Sequence, residues 1–168
     1  LHTLFPYTTL FRSQMNYLKE NGYTTITMDQ FYASMSKKDV LPVKSVLITF
    51  DDGYISNYKL AYPILKANKQ KATLFMISNE VGRTSNSMNG KQLREMDVNG
   101  FRVENHTDWH EYLGNLSYSE QLKAIKNAKT SLEKLLGRRV LYLAYPCDSY
   151  NDNTLKAAHA AGCKLGIT

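Results

Sequence analysis

The spacing of apolar and polar positions changes several times along these 168 residues. Met15 and Leu18, followed by Asn21-Gly22, predict a helix from residue 14 that closes at a glycine. Residues 23–28 are rich in β-branched side chains and predict a short strand. A short helix is expected over 30–35, with Asp29 as its N-cap, followed by a polar connection over 37–44. Strands and helices then alternate. A strand over 45–50 precedes a helix over 54–68 that Pro63 bends or restarts. A strand over 71–77, a polar loop over 78–90, a helix over 91–99 stopped by Gly100 and a strand over 101–105 follow. The clearest helix spans 117–136. Ser117 and Glu120 have capping-box spacing, Gly137 lies just past the end, and Leu122, Ile125, Leu132, Leu135 and Leu136 form its apolar stripe. A strand over 140–145, a helix over 151–161 and a strand over 163–168 complete the pattern.

Such alternation implies an α/β fold of parallel strands with crossover helices. An open sheet and a barrel both satisfy it, and in either one binding sites lie at the C-terminal ends of the strands. Asp51 and Asp52, His106 to His110, and Pro146 all fall at such ends.

Residues 1–13 fit none of this. They lack an initiator Met and look like a translated sequencing-adapter scar. They have neither the basic start nor the uninterrupted apolar core of a signal peptide. The expectation is a non-native leader over 1–13 and a single domain over 14–168 whose C-terminal part is missing, because a buried strand is a poor place for a domain to finish.

Composition narrows the function classes. A hydrophobic content of 43% supports a true core. The net charge of +6 comes from scattered basic residues, which describes a solvated surface and leaves room for a basic face toward anionic envelope polymers. No motif or dense basic stripe points to nucleic acid. No apolar run approaches the ~20 residues of a membrane span. Cys147 and Cys163 are the only cysteines, so at most one internal disulfide can form.

The chemistry concentrates in two runs: Thr49-Phe50-Asp51-Asp52-Gly53 and His106-Thr107-Asp108-Trp109-His110. Neighbouring side chains on a strand point to opposite faces, so both aspartates serve one site only if the strand ends there, and Gly53 permits that turn. One aspartate can then bind metal while the other takes a proton. The bland alternative is a solvated turn or a helix cap. His106 and His110 are spaced i,i+4, so on one helical turn they would share a face, about 5–6 Å apart at Cβ. The alternative is a pair of surface histidines. Two imidazoles and one carboxylate leave room for water and substrate on zinc or a similar ion. Such an ion acidifies bound water and polarises a carbonyl. His2 belongs to the leader, and His159, in an alanine-rich helix, is expected to be structural.

These runs, together with Tyr62-Pro63-Ile64-Leu65 and Ala72-Thr73-Leu74-Phe75, resemble the polysaccharide deacetylase family, carbohydrate esterase family 4. The resemblance runs from about residue 14 to the C-terminus. It implies an incomplete, distorted (β/α) barrel. It implies Asp51 as general base and Asp52, His106 and His110 as ligands of one divalent ion, zinc first, with cobalt, nickel or manganese as alternatives. A third family motif corresponds to Leu143-Ala144-Tyr145-Pro146-Cys147-Asp148. Family members often carry tyrosine where Cys147 stands, and its backbone N–H helps hold the oxyanion, a role that survives a side-chain change. Tyr145 and Pro146 are the matching substrate-binding positions. Many members have glycine where Asp148 stands, and some have an arginine near Ala144 that is absent here.

The resemblance further implies a hydrolase that removes acetyl groups from N-acetylated or O-acetylated sugar polymers of the cell envelope or extracellular matrix. It would work outside the cell or at its envelope, as a monomer. The family's later motifs, including a histidine that acts as general acid, find no match before Thr168, so this chain is expected to be weak or inactive by itself. The competing reading is a catalytically silent carbohydrate-binding relative. An aspartyl phosphatase usually spaces its carboxylates by one residue, whereas these are adjacent. A Cys147 nucleophile has no evident histidine partner. Trp109 and the abundant tyrosines would form a sugar platform, or else pack the core and loops.

Overall fold

The computed structural model describes residues 4–37 and 39–168. Its elements are α1 (Leu4–Glu20), β1 (Thr24–Thr25), α2 (Met28–Lys37), β2 (Ser45–Val46), β3 (Thr49–Phe50), α3 (Tyr62–Asn68), β4 (Ala72–Met76), α4 (Gly90–Val98), β5 (Phe101–Asn105), α5 (Tyr118–Leu136), β6 (Tyr142–Ala144), α6 (Asp152–Ala160) and β7 (Leu165–Ile167). β3 to β7 form one parallel sheet in sequence order, and β1 pairs with β2 in a small parallel sheet of its own. Strands laid down in order with crossovers between them give the progression of a barrel rather than of a doubly wound sheet, in which the order reverses. The sheet curls into a half-barrel, as the resemblance implied.

Each βα unit follows from its own residues. All five residues of β4 are buried, as a central parallel strand with both faces covered requires. Leu74 and Met76 pack with Leu65, Leu93, Phe101 and Val103 on the helix-covered side. Phe75 points the other way, into a cluster with Met28, Tyr142 and Ala144. The Ser117 hydroxyl caps α5 and the Glu120 side chain reaches back to the Ser117 N–H, while Gly137 closes the helix in the left-handed region. Asn151 caps α6 in the same way.

Several expectations are corrected. The single strand over 45–50 is two: β2 pairs with β1, and β3 pairs with β4. Leu47 and Ile48, between them, serve different cores. The helix over 54–68 has a π-helical stretch at Asn57–Ala61, and α3 restarts with Pro63 in its first turn, where its missing N–H costs nothing. Asp29 is not a cap. The Thr27 hydroxyl accepts from the Gln30 N–H, and Gln30 Oε1 accepts from the Thr27 N–H, a reciprocal box that starts α2 two residues early. Asp29 instead accepts a 2.5 Å hydrogen bond from the Tyr142 hydroxyl.

α1 runs unbroken from Leu4 to Glu20, through residue 13. Phe11 packs edge-on against Phe50, with ring centroids 6.0 Å apart. His2 lies outside the described residues. Cys147 and Cys163 are free thiols rather than a disulfide. His159 is exposed on α6, not packed within the fold. No helix among the described residues is long and apolar enough to cross a membrane.

Candidate metal centre

β3 ends in the turn that carries the aspartates. Asp52 adopts φ 68°, Gly53 follows at φ 95°, and the Gly53 N–H donates to the Asp51 carbonyl at 2.8 Å. This reversal breaks the strand alternation and lets adjacent carboxylates approach one cavity. β5 lies one strand away, with β4 between them. Beyond β5 the chain does not enter a helix. Thr107 and His110 both take left-handed backbone angles, at φ 64° and 60°, and the segment is an irregular loop. The histidine pair therefore converges through a strained turn and not through the helical face expected from its spacing.

The convergence is close. Asp52 Oδ1 lies 3.5 Å from Nε2 of His106 and 3.5 Å from Nε2 of His110. The two imidazole centroids are 5.0 Å apart. The ligand atoms of these three residues all lie within 4.8 Å of one another. Asp52 Oδ1 is buried and lacks a hydrogen-bond partner, a costly condition for a carboxylate oxygen unless something else satisfies it. Three donors on zinc at ~2.0–2.1 Å would stand roughly 3.3 Å apart at the corners of a tetrahedron. The residues present fit a divalent cation.

His106 is buried, and its Nδ1 lies 3.0 Å from the Ala144 carbonyl. That acceptor places the proton on Nδ1 and leaves the Nε2 lone pair facing Asp52, the usual outer support of a ligating histidine. Burial lowers the His106 pKa, against the pull of the Asp51 carboxylate. His110 is more open, with about a third of its side chain exposed.

Asp51 faces the same cavity, of about 290 Å³, with Asp52, His106, His110, Tyr145 and Cys147 on its walls. The outer edge of Asp51 is solvent-exposed, yet partial burial raises its pKa. The imidazoles oppose that shift, and the Asp52 and Asp148 carboxylates add to it. Cys147 and Asp148 enter the wall through two successive left-handed residues, both at φ 52°. Tyr145 is buried and stacks on Tyr150 with centroids 5.0 Å apart. Pro146 is buried behind the turn and is not on the cavity wall. Trp109, expected either as platform or as core, is exposed and has the Arg83 guanidinium 5.2 Å from its ring centre.

Some participants were not singled out from the sequence. Thr49, Ile167 and Thr168 complete the wall, and the Ala144 carbonyl orients His106. Backbone groups leave no mark in the sequence, so Ala144 could not have been found there. Asp108 could have been, as a third carboxylate inside the histidine run.

A family profile for polysaccharide deacetylase matches residues 38–166, about three quarters of the chain. The chain belongs to the polysaccharide deacetylase family. It is 35% identical over 158 residues to YxkH of Bacillus subtilis, covering 94% of this chain and 56% of that protein. It is 34% identical over 174 residues to the poly-beta-1,6-N-acetyl-D-glucosamine N-deacetylase of Staphylococcus aureus strain N315, covering 94% of this chain and 59% of that one. The chain thus spans somewhat more than half the length of the curated relatives it matches. Among solved structures it superposes on the Streptococcus pyogenes deacetylase PplD, determined with acetate, at a TM-score of 0.92 and 34% identity over 96% of this chain and 72% of that one.

Proposed function

We propose that this chain carries the water-activating half of a metal-dependent deacetylase acting on N-acetylated sugar polymers of the cell envelope or extracellular matrix. The single observation that carries this is the unsatisfied Asp52 Oδ1, held equally between two imidazole nitrogens beside a second carboxylate. Similarity to a poly-N-acetylglucosamine deacetylase supports the substrate class.

Asp52, His106 and His110 would hold the cation. When bound, a divalent ion supplies Lewis acidity that acidifies water and polarises an amide carbonyl. Zinc suits a site of two imidazoles and one carboxylate best. Asp51, unligated beside the three metal-holding residues, accepts the proton of the attacking water. The Cys147 backbone N–H, on the same wall, donates to the carbonyl oxygen as negative charge builds there. The C–N bond then breaks to give acetate and an amine, and the amine leaves with a proton that protonated Asp51 can return. Tyr145 shapes the wall toward the acetyl group, and Pro146 fixes the turn from behind.

Asp51 supports the enzyme over the silent carbohydrate-binding alternative, since a binding protein needs no unligated base. The test is acetate release from β-1,6-linked N-acetylglucosamine oligomers, with zinc and with chelator. The expected result is slow but measurable zinc-dependent release by the parent chain, in keeping with the weak activity expected of it, and none by Asp51→Asn, with zinc binding retained in the variant. A zinc-loaded parent that releases no acetate from these or from chitin oligomers overturns the proposal.

A further inference from the structure

The two histidine ligands are held by different means. His106 is buried and braced by the Ala144 carbonyl. His110 is partly open and follows a loop with left-handed residues at 107 and 110. Such backbone is unfavourable for L residues and persists only where its surroundings enforce it.

Asp108 is one of the groups that tie the loop down. It is 8% exposed, and both of its carboxylate oxygens are taken. Oδ2 accepts from Asn127 Nδ2, on α5, at 3.0 Å. Oδ1 accepts from Asn79 Nδ2 at 3.3 Å. The Asn79 N–H also donates to the Asp108 carbonyl at 3.2 Å. A second tie lies just upstream: Asn105 Oδ1 accepts from the Thr107 N–H at 2.8 Å, and Asn105 Nδ2 donates to the Ile125 carbonyl of α5 at 3.0 Å. α5 therefore grips the loop on both sides of Thr107, and of these two α5 ties the Asp108–Asn127 one lies between the ligands; the segment after β4 holds the same stretch through Asn79 and through the Ser78 N–H, which donates to the Thr107 carbonyl at 3.1 Å.

We propose that Asn127 is a positioning residue for the cation site, fixing His110 through Asp108; this rests on the metal-site reading above. Asn127 is neither one of the three ligand residues nor part of the wall of their cavity. Its role is to hold a buried carboxylate where the loop needs it, so that His110 Nε2 meets Asp52 without the cation having to reorganise the turn. Outer-shell partners of this kind typically change metal affinity by 10–100-fold when removed.

The experiment measures zinc affinity by competition with a chromophoric chelator, alongside the unfolding temperature of the metal-free chain. Asn127→Ala is expected to weaken zinc binding by roughly tenfold or more. Asn127→Asp sets a carboxylate against Asp108 and is expected to weaken it further. The exchanged pair Asp108→Asn with Asn127→Asp restores a donor–acceptor match and is expected to recover most of the affinity. Glu133→Gln, which disturbs the far end of α5 where Glu133 accepts from the Val140 N–H, serves as the control and should leave zinc affinity unchanged. The inference falls if the Asn127 variants bind zinc as the parent does, if the exchanged pair recovers nothing, or if Glu133→Gln weakens binding as much as Asn127→Ala. A parent chain that binds no zinc overturns the metal-site reading itself, a distinguishable result.

Discussion

A Cβ placed on Gly53 would lie 2.0 Å from Sδ of Met76. Met76 ends β4, and Gly53 turns the chain out of β3, so the aspartate turn is seated directly against the neighbouring strand. Gly53 also sits at φ 95°, where an L side chain is strained whatever the space. Gly53→Ala is therefore expected to cost roughly 2–4 kcal/mol, combining left-handed strain with overpacking. Urea unfolding of the metal-free chain checks this. A midpoint equal to that of the parent would show that the turn is not so confined.

If Asp52, His106 and His110 hold a cation, zinc must stabilise the folded chain by mass action. At free zinc about 100 times the dissociation constant, the gain is about 2.7 kcal/mol. Thermal unfolding with zinc and with EDTA measures it. Asp52→Asn, His106→Ala and His110→Ala should each abolish or sharply reduce the zinc-dependent rise. A rise that survives His106→Ala would place the ion elsewhere.

Glu120 accepts from the hydroxyl and N–H of Ser117, and these bonds lower its pKa in the folded chain. A carboxyl lowered on folding adds stability that is present above its ordinary value, near 4.5, and is lost as pH falls through the lowered one. Glu120→Gln should therefore be less stable than the parent near pH 7, with the gap closing in acid. Chemical unfolding at several pH values follows the gap, and a gap that widens toward pH 3 contradicts the assignment. Ser117→Ala, which removes the cap itself, should cost about 1 kcal/mol.

The two thiols should react at different rates. Burial pushes the Cys163 thiol up to about 11, leaving on the order of 0.1% thiolate at pH 8. Cys147 is exposed at the cavity mouth. A disulfide reagent at pH 8 should modify Cys147 first and reach Cys163 mainly on unfolding. Two equal fast phases in the native chain would refute this.

Local signals with a local cause were legible in the sequence. The Ser117–Glu120 box and Gly137 bound α5 within a residue of the expected ends, because capping is decided within one turn. β5 has the expected limits. Asp29 was misread because Thr27 and Gln30 make an equally local box two positions earlier, and the Asp29 carboxylate is claimed by Tyr142, 113 residues away. The stretch 45–50 was misread because its β-branched run looks continuous, while its two halves pair with different partners.

The residue types of the site were legible too: two adjacent carboxylates at a strand end, and two histidines four positions apart. Their helical arrangement was not, since spacing alone cannot distinguish a helical turn from a loop with left-handed residues at 107 and 110.

The sequence by itself determined which groups this protein brings to its chemistry, the order of its strands and helices, and its family. Those are properties of neighbouring residues and of side-chain period. Only the tertiary structure decided that Asp52 and His106, 54 positions apart in the sequence, come within 3.5 Å. The physical reason is that curling a parallel sheet draws the ends of β3 and β5 together across β4. That closure depends on what packs on each face of the sheet, and no single stretch of sequence contains it.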